Sequence, residues 1–172
     1  MTMPEPKASG AWRVYLRLQY RLIRLLDPLA RTYWRGYGLG NVVELHVPGR
    51  HTGRDRPVLL GLLRSDGDWF LGHPNGETAW TRNLAAAGAG RLTLSWPAAT
   101  LTISARRLGP GDERDRAILA TGQHVFPGNL VYRLARRHVR AVGAYFAISV
   151  VDHAVPDDGR STTPEPLIAP GG

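Results

Sequence analysis

The chain has 172 residues, 43% hydrophobic and 21% charged, which is enough for one domain with a substantial apolar core. It contains no cysteine, which excludes disulfides, thiolate metal sites and cysteine nucleophiles. The 22 basic residues outnumber the 14 acidic ones, and the net charge of +8 favours an anionic partner such as nucleic acid, a membrane surface or a phosphate-rich ligand.

The two ends of the chain differ in composition from the rest. Residues 1–10 and 154–172 are rich in proline, glycine and small polar residues, and we expect both to be flexible tails. Residues 11–39 read as a basic, amphipathic helical extension: a helix over 12–26, then a second helix with Asp27 as its N-cap and Pro28 at its first position. No segment is apolar enough to span a membrane and no signal peptide is recognisable, so a cytoplasmic location is expected.

The first predicted helix has two distinct faces. Arginines recur on one side, at Arg13, Arg17, Arg21 and Arg24. Leucines recur on another, at Leu18, Leu22, Leu25 and Leu29. Two interpretations stay open. The helix packs on the domain with its arginines outward, or, with Trp12 and Tyr15, it lies at the inner face of a membrane or covers a lipophilic substrate pocket.

Residues 40–153 alternate between strand and helix patterns. Strands are expected at 41–47, 56–64, 69–73, 91–96, 100–108 and 145–151, with hairpins at Ser65–Asp68 and at Pro97–Ala99. Helices are expected at 78–87, 110–121 and 129–142. Because hairpins dominate, the sheet should be largely antiparallel, and a small barrel of about six strands with peripheral helices is its natural closure. The expected fold class is therefore α+β, mainly β.

The segment between the first two strands, Pro48 to Pro57, is polar and basic. Its glycines, Gly49 and Gly53, let the backbone bend and present N–H groups to a ligand. Its donor side chains are Arg50, Thr52, Arg54 and Arg56. Such a loop can hold a phosphate, although it is not a P-loop; the alternative is a solvated hairpin loop.

A second pattern lies on the predicted helix over 78–87. Trp80, Asn83 and Leu84 are spaced to share one helix face, which also fits a tryptophan packed in the core with Asn83 capping a nearby group. The six histidines show no metal-ligand spacing, so no metal site is expected. The arginines at 133, 136, 137 and 140 form either a solvated helix face or a clamp for an acidic ligand.

In combination these motifs suggest a family. The order Gly49-Arg50-His51-Thr52-Gly53 with Arg56, then an Asp-Gly hairpin, then Trp80-x-x-Asn83-Leu84-x-Ala86 resembles the deazaflavin (coenzyme F-420)-dependent nitroreductase family, which shows G-R-K-[ST]-G-x-x-R and W-x-x-N-L-x-A motifs. The resemblance covers roughly residues 40–151. It implies a split β-barrel of the flavin/deazaflavin oxidoreductase superfamily that binds coenzyme F-420, an 8-hydroxy-5-deazaflavin with a phosphate and an oligoglutamate tail.

The resemblance also implies roles for individual residues. Those that would bind the cofactor are Arg50, His51, Thr52, Gly53, Arg56 and Pro57 around the phosphate, and Trp80 and Asn83, which match the family's positions beside the cofactor. Two departures stand out. His51 replaces the family's lysine, and Asn129 stands where members that reduce quinones or nitroimidazoles often carry tyrosine. Tyr132 keeps a hydroxyl at a matching spacing and is the candidate catalytic residue, as a proton donor or a hydrogen bond to substrate.

The activity implied is hydride transfer from reduced coenzyme F-420 to a small, lipophilic molecule with an activated C=C, quinone or nitro group. The alternatives are an FMN- or FAD-dependent oxidoreductase on the same barrel and a non-catalytic binder of lipid, haem or cofactor. A homodimer is implied by analogy, since barrels of this type often pair. Nucleic acid is not an expected partner, because the arginines are not interleaved with exposed aromatic residues.

Overall fold

A computed structural model of the chain describes residues 8–37, 40–95, 97–124 and 127–154. Within these ranges the strands are β1 (Val42–Pro48), β2 (Asp55–Ser65), β3 (Asp68–His73), β4 (Ala89–Ser95), β5 (Ala98–Arg107) and β6 (Ala144–Ala154). The helices are α1 (Gly10–Tyr37), α2 (Ala79–Ala87), α3 (Asp112–Leu119), α4 (Gly128–Leu134) and α5 (Arg136–Val142), and a 3-10 turn at Ala120–Gln123 follows α3.

The strands close into a barrel in the order β1-β2-β3-β6-β5-β4, with β4 paired back to β1 and every neighbouring pair antiparallel. The prediction of a mainly β, α+β split β-barrel is therefore confirmed. The Asp-Gly hairpin is also confirmed, because Ser65 pairs with Asp68 and both turn residues have positive φ. The second hairpin is tighter than predicted, since Ser95 already pairs with Ala98.

Alternation along the strands separates two apolar clusters. Leu62 and Leu71 point into the barrel core, while their chain neighbours Leu63 and Phe70 belong to a second cluster outside the barrel. The outer cluster is completed by residues of α3, the 3-10 turn, α5 and β6, with Trp12 and Tyr132 packed against it. One side of the barrel is thus covered by helices, as the predicted peripheral helices require.

The N-terminal helix differs from the prediction of two helices. A single helix runs from Gly10 to Tyr37 and contains Pro28 in its interior, where a proline removes one backbone hydrogen bond and costs about 3 kcal/mol. Contacts beyond Pro28 hold the last turns in place. Trp34 is 2% exposed and its Nε1 donates to the carbonyl oxygen of Val42 at 2.8 Å, and Arg31 forms an ion pair with buried Glu44. Tertiary contacts with β1 therefore outweigh the local signal of the proline.

Two other helices also differ from their predicted extents. The segment predicted as one helix over 129–142 forms α4 and α5, which meet at Ala135. The helix predicted over 110–121 is shorter and continues as the 3-10 turn. Residues 1–7 and 155–172, most of the two predicted tails, lie outside the described residues, and the division of the chain into tails, extension and barrel stays a prediction. Within the described ranges, no helix is long and apolar enough to cross a membrane.

Candidate functional site

The β1–β2 loop, residues 49–54, is closed by its own backbone. The N–H of Gly49 donates to the carbonyl oxygen of Arg54 at 2.8 Å, and the N–H groups of Thr52 and Gly53 both donate to the carbonyl oxygen of Gly49, at 3.1 and 2.7 Å. Gly53 adopts φ +65°, which explains a glycine there. The expectation that this loop presents its N–H groups to a ligand is wrong for these three residues, because their donors are used inside the loop.

The loop's side chains, in contrast, face solvent. Arg50, Thr52, Arg54 and Arg56 are all exposed. Gly49 is buried, and a Cβ placed on it would lie 2.9 Å from Thr52 Oγ1 and 3.5 Å from Arg56 Nε, so the hydroxyl and the guanidinium lie side by side over Gly49 and leave no room for a side chain there. A hydroxyl and a guanidinium side by side are suitable donors for a phosphate oxygen.

His51 plays a different part from the lysine that it replaces. Arg50 Nε donates to His51 Nε2 at 2.8 Å, so this ring nitrogen acts as the acceptor. The histidine therefore orients the Arg50 guanidinium. A lysine at this position would instead add a cation of its own.

The positive charge of the loop is not neutralised locally. Asp55, the acidic residue next to the loop, is already bound by Arg91 at 2.8 Å and by His46 at 3.1 Å. Among the described residues, Arg50, Arg54 and Arg56 form no ion pair. Exposed guanidinium groups without acidic partners are available to an anionic ligand.

Helix α2 supports this loop from beneath. The helix begins after Thr78, whose N–H donates to Thr81 Oγ1 at 2.8 Å. Asn83 is 7% exposed, and its Oδ1 accepts a hydrogen bond of 3.4 Å from the N–H of Arg50. The structure therefore joins Asn83 to the loop, a placement that the sequence pattern alone leaves open.

Trp80, on the same helix, packs toward the barrel core. Its ring lies 6.2 Å from that of Phe146 and 6.4 Å from that of His73, measured between centroids, and the side chain is half-buried. The interpretation of Trp80 as a core residue is thus correct for much of its surface, and the remainder of the side chain is exposed.

Tyr132 lies apart from the loop. Its hydroxyl is 3.1 Å from that of Tyr20 on α1, and its ring stacks on His124 with centroids 4.8 Å apart. Burial raises the pKa of Tyr132, so the hydroxyl stays protonated. None of these contacts reaches residues 49–57. The link between the two regions is indirect: Tyr20 packs at 4.5 Å on His73, which in turn contacts Trp80.

Two buried residues in this region, His73 and Tyr145, were not recognised from sequence as part of the candidate site. His73 is 8% exposed, and burial lowers its pKa to about 4, so it is neutral at neutral pH. Tyr145 is 1% exposed, and its hydroxyl has no hydrogen-bond partner among the described residues. A signal for Tyr145 exists in the sequence, since Gly72 interrupts an apolar strand pattern and a strand glycine often marks a close approach.

Surface cavities lined by other described residues lie elsewhere on the molecule. Three of them have volumes of about 290, 390 and 310 Å³, and residues 49–57 line none of these three. The 390 Å³ cavity is lined by Asn129, Arg133 and Arg136 together with residues of the 3-10 turn. The described residues contain no cluster of histidine and acidic side chains that could hold a metal ion.

No protein-family model matches the chain, and no curated protein matches it in sequence. Several solved structures are similar to it. The conserved hypothetical protein Rv2991 from Mycobacterium tuberculosis has a TM-score of 0.52 at 10% identity, over 89% of this chain and 87% of that one. An F-420-H2-dependent reductase (FDR-A) has a TM-score of 0.49 at 18% identity, over 63% and 94%.

A haem-binding protein from Mycobacterium smegmatis has a TM-score of 0.48 at 20% identity, over 64% of this chain and 46% of that one. The chain thus spans about half the length of some of the proteins that it resembles, including the Atu2129 protein of Agrobacterium tumefaciens. At 10% identity the similarity to Rv2991 shows the fold alone, and that fold is the split β-barrel built by β1 to β6.

Proposed function

We propose that this protein is an oxidoreductase in which reduced coenzyme F-420, held at the β1–β2 loop, transfers hydride to an activated C=C, quinone or nitro acceptor. One observation carries the proposal. The loop is tied to Asn83 and presents Arg50, Arg54 and Arg56 without acidic partners among the described residues. The two motifs that resemble the deazaflavin-dependent family therefore meet at one surface of the barrel.

The loop fits the anionic part of such a cofactor. Arg56 and Thr52, whose exposed side chains lie side by side over Gly49, would donate to a phosphate oxygen on the solvent side of the loop. Arg50, oriented by His51, would add a second guanidinium. Because the N–H groups of Gly49, Thr52 and Gly53 are occupied, we expect side chains to supply most of the hydrogen bonds.

The remaining residues would position the rings and exclude water. When bound, the deazaflavin supplies the hydride, and the chain supplies binding, orientation and electrostatics. Trp80 offers an apolar surface backed by Phe146. Tyr132 keeps its proton and would donate it, or a hydrogen bond, to the substrate. That role requires the substrate to replace Tyr20 as the partner of the Tyr132 hydroxyl.

An FMN-dependent oxidoreductase is the second candidate. The same observation favours it, because Arg50, Thr52 and Arg56 would recognise a phosphate group and not the ring system attached to it. The two cofactors differ in the tail beyond the phosphate, where coenzyme F-420 carries additional carboxylates. Arg54, exposed at the end of the loop, would add affinity only for the longer, more acidic tail.

The proposal is tested by titrating the purified chain with coenzyme F-420, FMN and haem while tryptophan fluorescence is recorded. We expect coenzyme F-420 to bind most tightly. Arg56→Gln should weaken it about tenfold, as loss of a charged hydrogen bond predicts. Arg82→Gln, which removes an exposed arginine from α2, is the matched control and should not change the affinity.

Each other result has a definite meaning. Tighter binding of FMN would replace the deazaflavin proposal with its alternative. Selective binding of haem would favour the non-catalytic binder. Absence of binding by coenzyme F-420 and FMN at tens of micromolar would overturn both oxidoreductase proposals. If F-420 binds, the activity itself is tested by adding a quinone to the reduced cofactor. Oxidation of the cofactor is then recorded as the loss of the absorbance of its reduced form.

A further inference from the structure

Helix α1 exposes a continuous apolar surface. Val14, Leu18, Leu22, Leu25 and Leu29, here called the apolar stripe, are each between 56% and 76% exposed. Their spacing of three or four residues places them along one side of the helix. The domain instead receives other side chains of α1, since Leu16 and Trp34 are only 1% and 2% exposed. The helix thus packs on the domain with Arg13, Arg17 and Arg21 outward, and the side that it buries is not the leucine face.

A row of positive charge runs beside the apolar stripe. Arg13, Arg17 and Arg21 follow one another at four-residue intervals and are exposed, and among the described residues none of them forms an ion pair. The whole helix contains six arginines and one acidic residue. Its surface thus has three parallel zones: a buried side, a basic side and an exposed apolar side. The side chains of the apolar side, with the flanking Tyr15 and Leu26 included, are between 46% and 76% exposed.

We propose that this surface of α1 docks on an anionic phospholipid bilayer. The helix would lie in the plane of the interface, with the apolar stripe at the boundary of the acyl chains and the arginines at the phosphate groups of the lipids. Arginine side chains suit this position, because their stems cover apolar surface while their guanidinium groups reach phosphate. The helix is not apolar enough to cross the bilayer, so the contact is peripheral.

The charge pattern favours a bilayer over a second copy of the chain. If two copies paired antiparallel through the apolar stripe, Arg13, Arg17 and Arg21 of one helix would lie beside the same row of the other. Repulsion between these like charges would weaken that pairing. An anionic lipid surface compensates the same charges. The apolar stripe alone does not distinguish a lipid surface from a second protein, whereas the arginine row favours an anionic lipid surface.

The first test uses the full chain without cofactor and sediments it with lipid vesicles. We expect it to bind vesicles of phosphatidylcholine and phosphatidylglycerol and to bind pure phosphatidylcholine much more weakly. Leu22→Ser/Leu25→Ser should abolish binding, and because both side chains are exposed the variant should fold normally. Leu119→Ser, at a residue of α3 that is 50% exposed, is the matched control and should bind as the wild type does.

The second test concerns the basic row. Arg17→Gln/Arg21→Gln should lower the partition coefficient on anionic vesicles about 25-fold, at roughly fivefold for each arginine near the surface. Arg82→Gln on α2 changes the net charge but not the row, and should have little effect. The binding of the wild type should also fall as the salt concentration rises.

Equal binding to neutral and anionic vesicles, or full binding by Leu22→Ser/Leu25→Ser, would overturn the proposal. The proposal would also be overturned if the wild type does not bind vesicles and sediments as a dimer that Leu22→Ser/Leu25→Ser dissociates. In that case a second copy of the chain would cover the apolar stripe. None of these measurements involves a cofactor. Their failure therefore leaves the proposed oxidoreductase activity untouched, and failure of cofactor binding leaves this proposal untouched.

Discussion

The hydroxyl groups of Tyr20 and Tyr132 lie 3.1 Å apart and join helix α1 to α4 across 112 positions of the chain. Burial raises the pKa of both tyrosines, so both hydroxyls are protonated at neutral pH, one donating and the other accepting. Tyr132, the candidate catalytic residue, is therefore held by a contact with α1 as well as by its own helix, α4. This contact makes the roles of the two hydroxyls separable by mutation.

Tyr132→Phe should lower kcat about 100-fold if the hydroxyl acts as a general acid, with little change in the Kd of the cofactor. Tyr20→Phe removes only the partner of that hydroxyl, so most of the activity should remain. Each substitution deletes the same hydrogen bond and should lower the free energy of unfolding by about 1 kcal/mol. Steady-state kinetics and urea denaturation measure both effects.

The comparison with Tyr20→Phe is the control for structural damage. If both variants lose activity equally, the hydrogen bond positions the helices and Tyr132 has no chemical role. If Tyr132→Phe retains the wild-type kcat, its assignment as a catalytic residue is wrong. The raised pKa of Tyr132 further implies that no loss of activity between pH 6 and pH 9 should be due to this group.

Much of the fold follows from local patterns. The Asp-Gly turn and the apolar runs on both sides of it are sufficient to predict an antiparallel hairpin. The division of Leu62 and Leu71 from Leu63 and Phe70 into two apolar clusters is seen only in the structure, because consecutive apolar residues do not show which of them faces the barrel core. Pro28 shows the limit of such patterns. Its effect on a helix is local, whereas the burial of Trp34 against β1 is a tertiary contact that no window of sequence reveals.

The site is predicted less completely, for a similar reason. Arg50 and Asn83 belong to separate motifs, and only the closed barrel shows that Asn83 Oδ1 accepts from the N–H of Arg50. The sequence suggests that the loop glycines free N–H groups for a ligand, but the carbonyl oxygen of Gly49 takes up two of those donors. The placement of Tyr20 against Tyr132 depends on where α1 packs, which amphipathic spacing does not determine.

Asn83 provides a paired test of the loop. Asn83→Ala removes the acceptor for the Arg50 N–H and should lower the free energy of unfolding by about 1 kcal/mol, as expected for the loss of one partly buried hydrogen bond. Asn83→Asp keeps an acceptor oxygen in place but adds a negative charge beneath the loop. Compared with Asn83→Ala, Asn83→Asp should therefore restore most of the loop's order, but it should still weaken the binding of an anionic cofactor.

Thermal denaturation and cofactor titration of both variants separate these effects. For an anionic ligand at the loop, Asn83→Asp should bind at least about tenfold more weakly than the wild type, since a nearby like charge opposes the ligand's phosphate. Should Asn83→Asp bind the cofactor as tightly as the wild type, the anionic part of the ligand lies somewhere other than this loop.

Gly72 and Tyr145 are directly paired neighbours on β3 and β6, and their close approach requires a glycine. A Cβ on Gly72 would lie 2.2 Å from the Tyr145 ring, so Gly72→Ala should cost about 1 to 3 kcal/mol through overpacking. Tyr145→Leu shortens the side chain and should make the alanine better tolerated. A double-mutant cycle of unfolding free energies should give a coupling of at least about 0.5 kcal/mol, whereas additive effects would mean that the ring moves aside without cost.

His73 should make the protein less stable as the pH falls from about 6.5 to about 4. Burial lowers the pKa of His73 from 6.5 to about 4, so in that interval the unfolded chain binds a proton that the folded chain does not. The stability that the neutral ring contributes is complete above pH 6.5 and declines toward pH 4. At about 1.4 kcal/mol per pH unit, the loss from this residue amounts to about 3 kcal/mol.

Urea denaturation at several pH values between 4.5 and 7 measures this dependence, and His73→Gln is the variant that isolates it. The pKa values of His124 and His138 are also lowered by burial, so the wild type should lose more than the share of His73 alone. His73→Gln should be less stable at pH 7, because the ring contacts with Tyr20 and Trp80 are lost, but its stability should depend less on pH. If stability depends on pH in the same way in both proteins, His73 takes up its proton as readily in the folded chain as in the unfolded one. That result would contradict the burial of His73 between Tyr20 and Trp80.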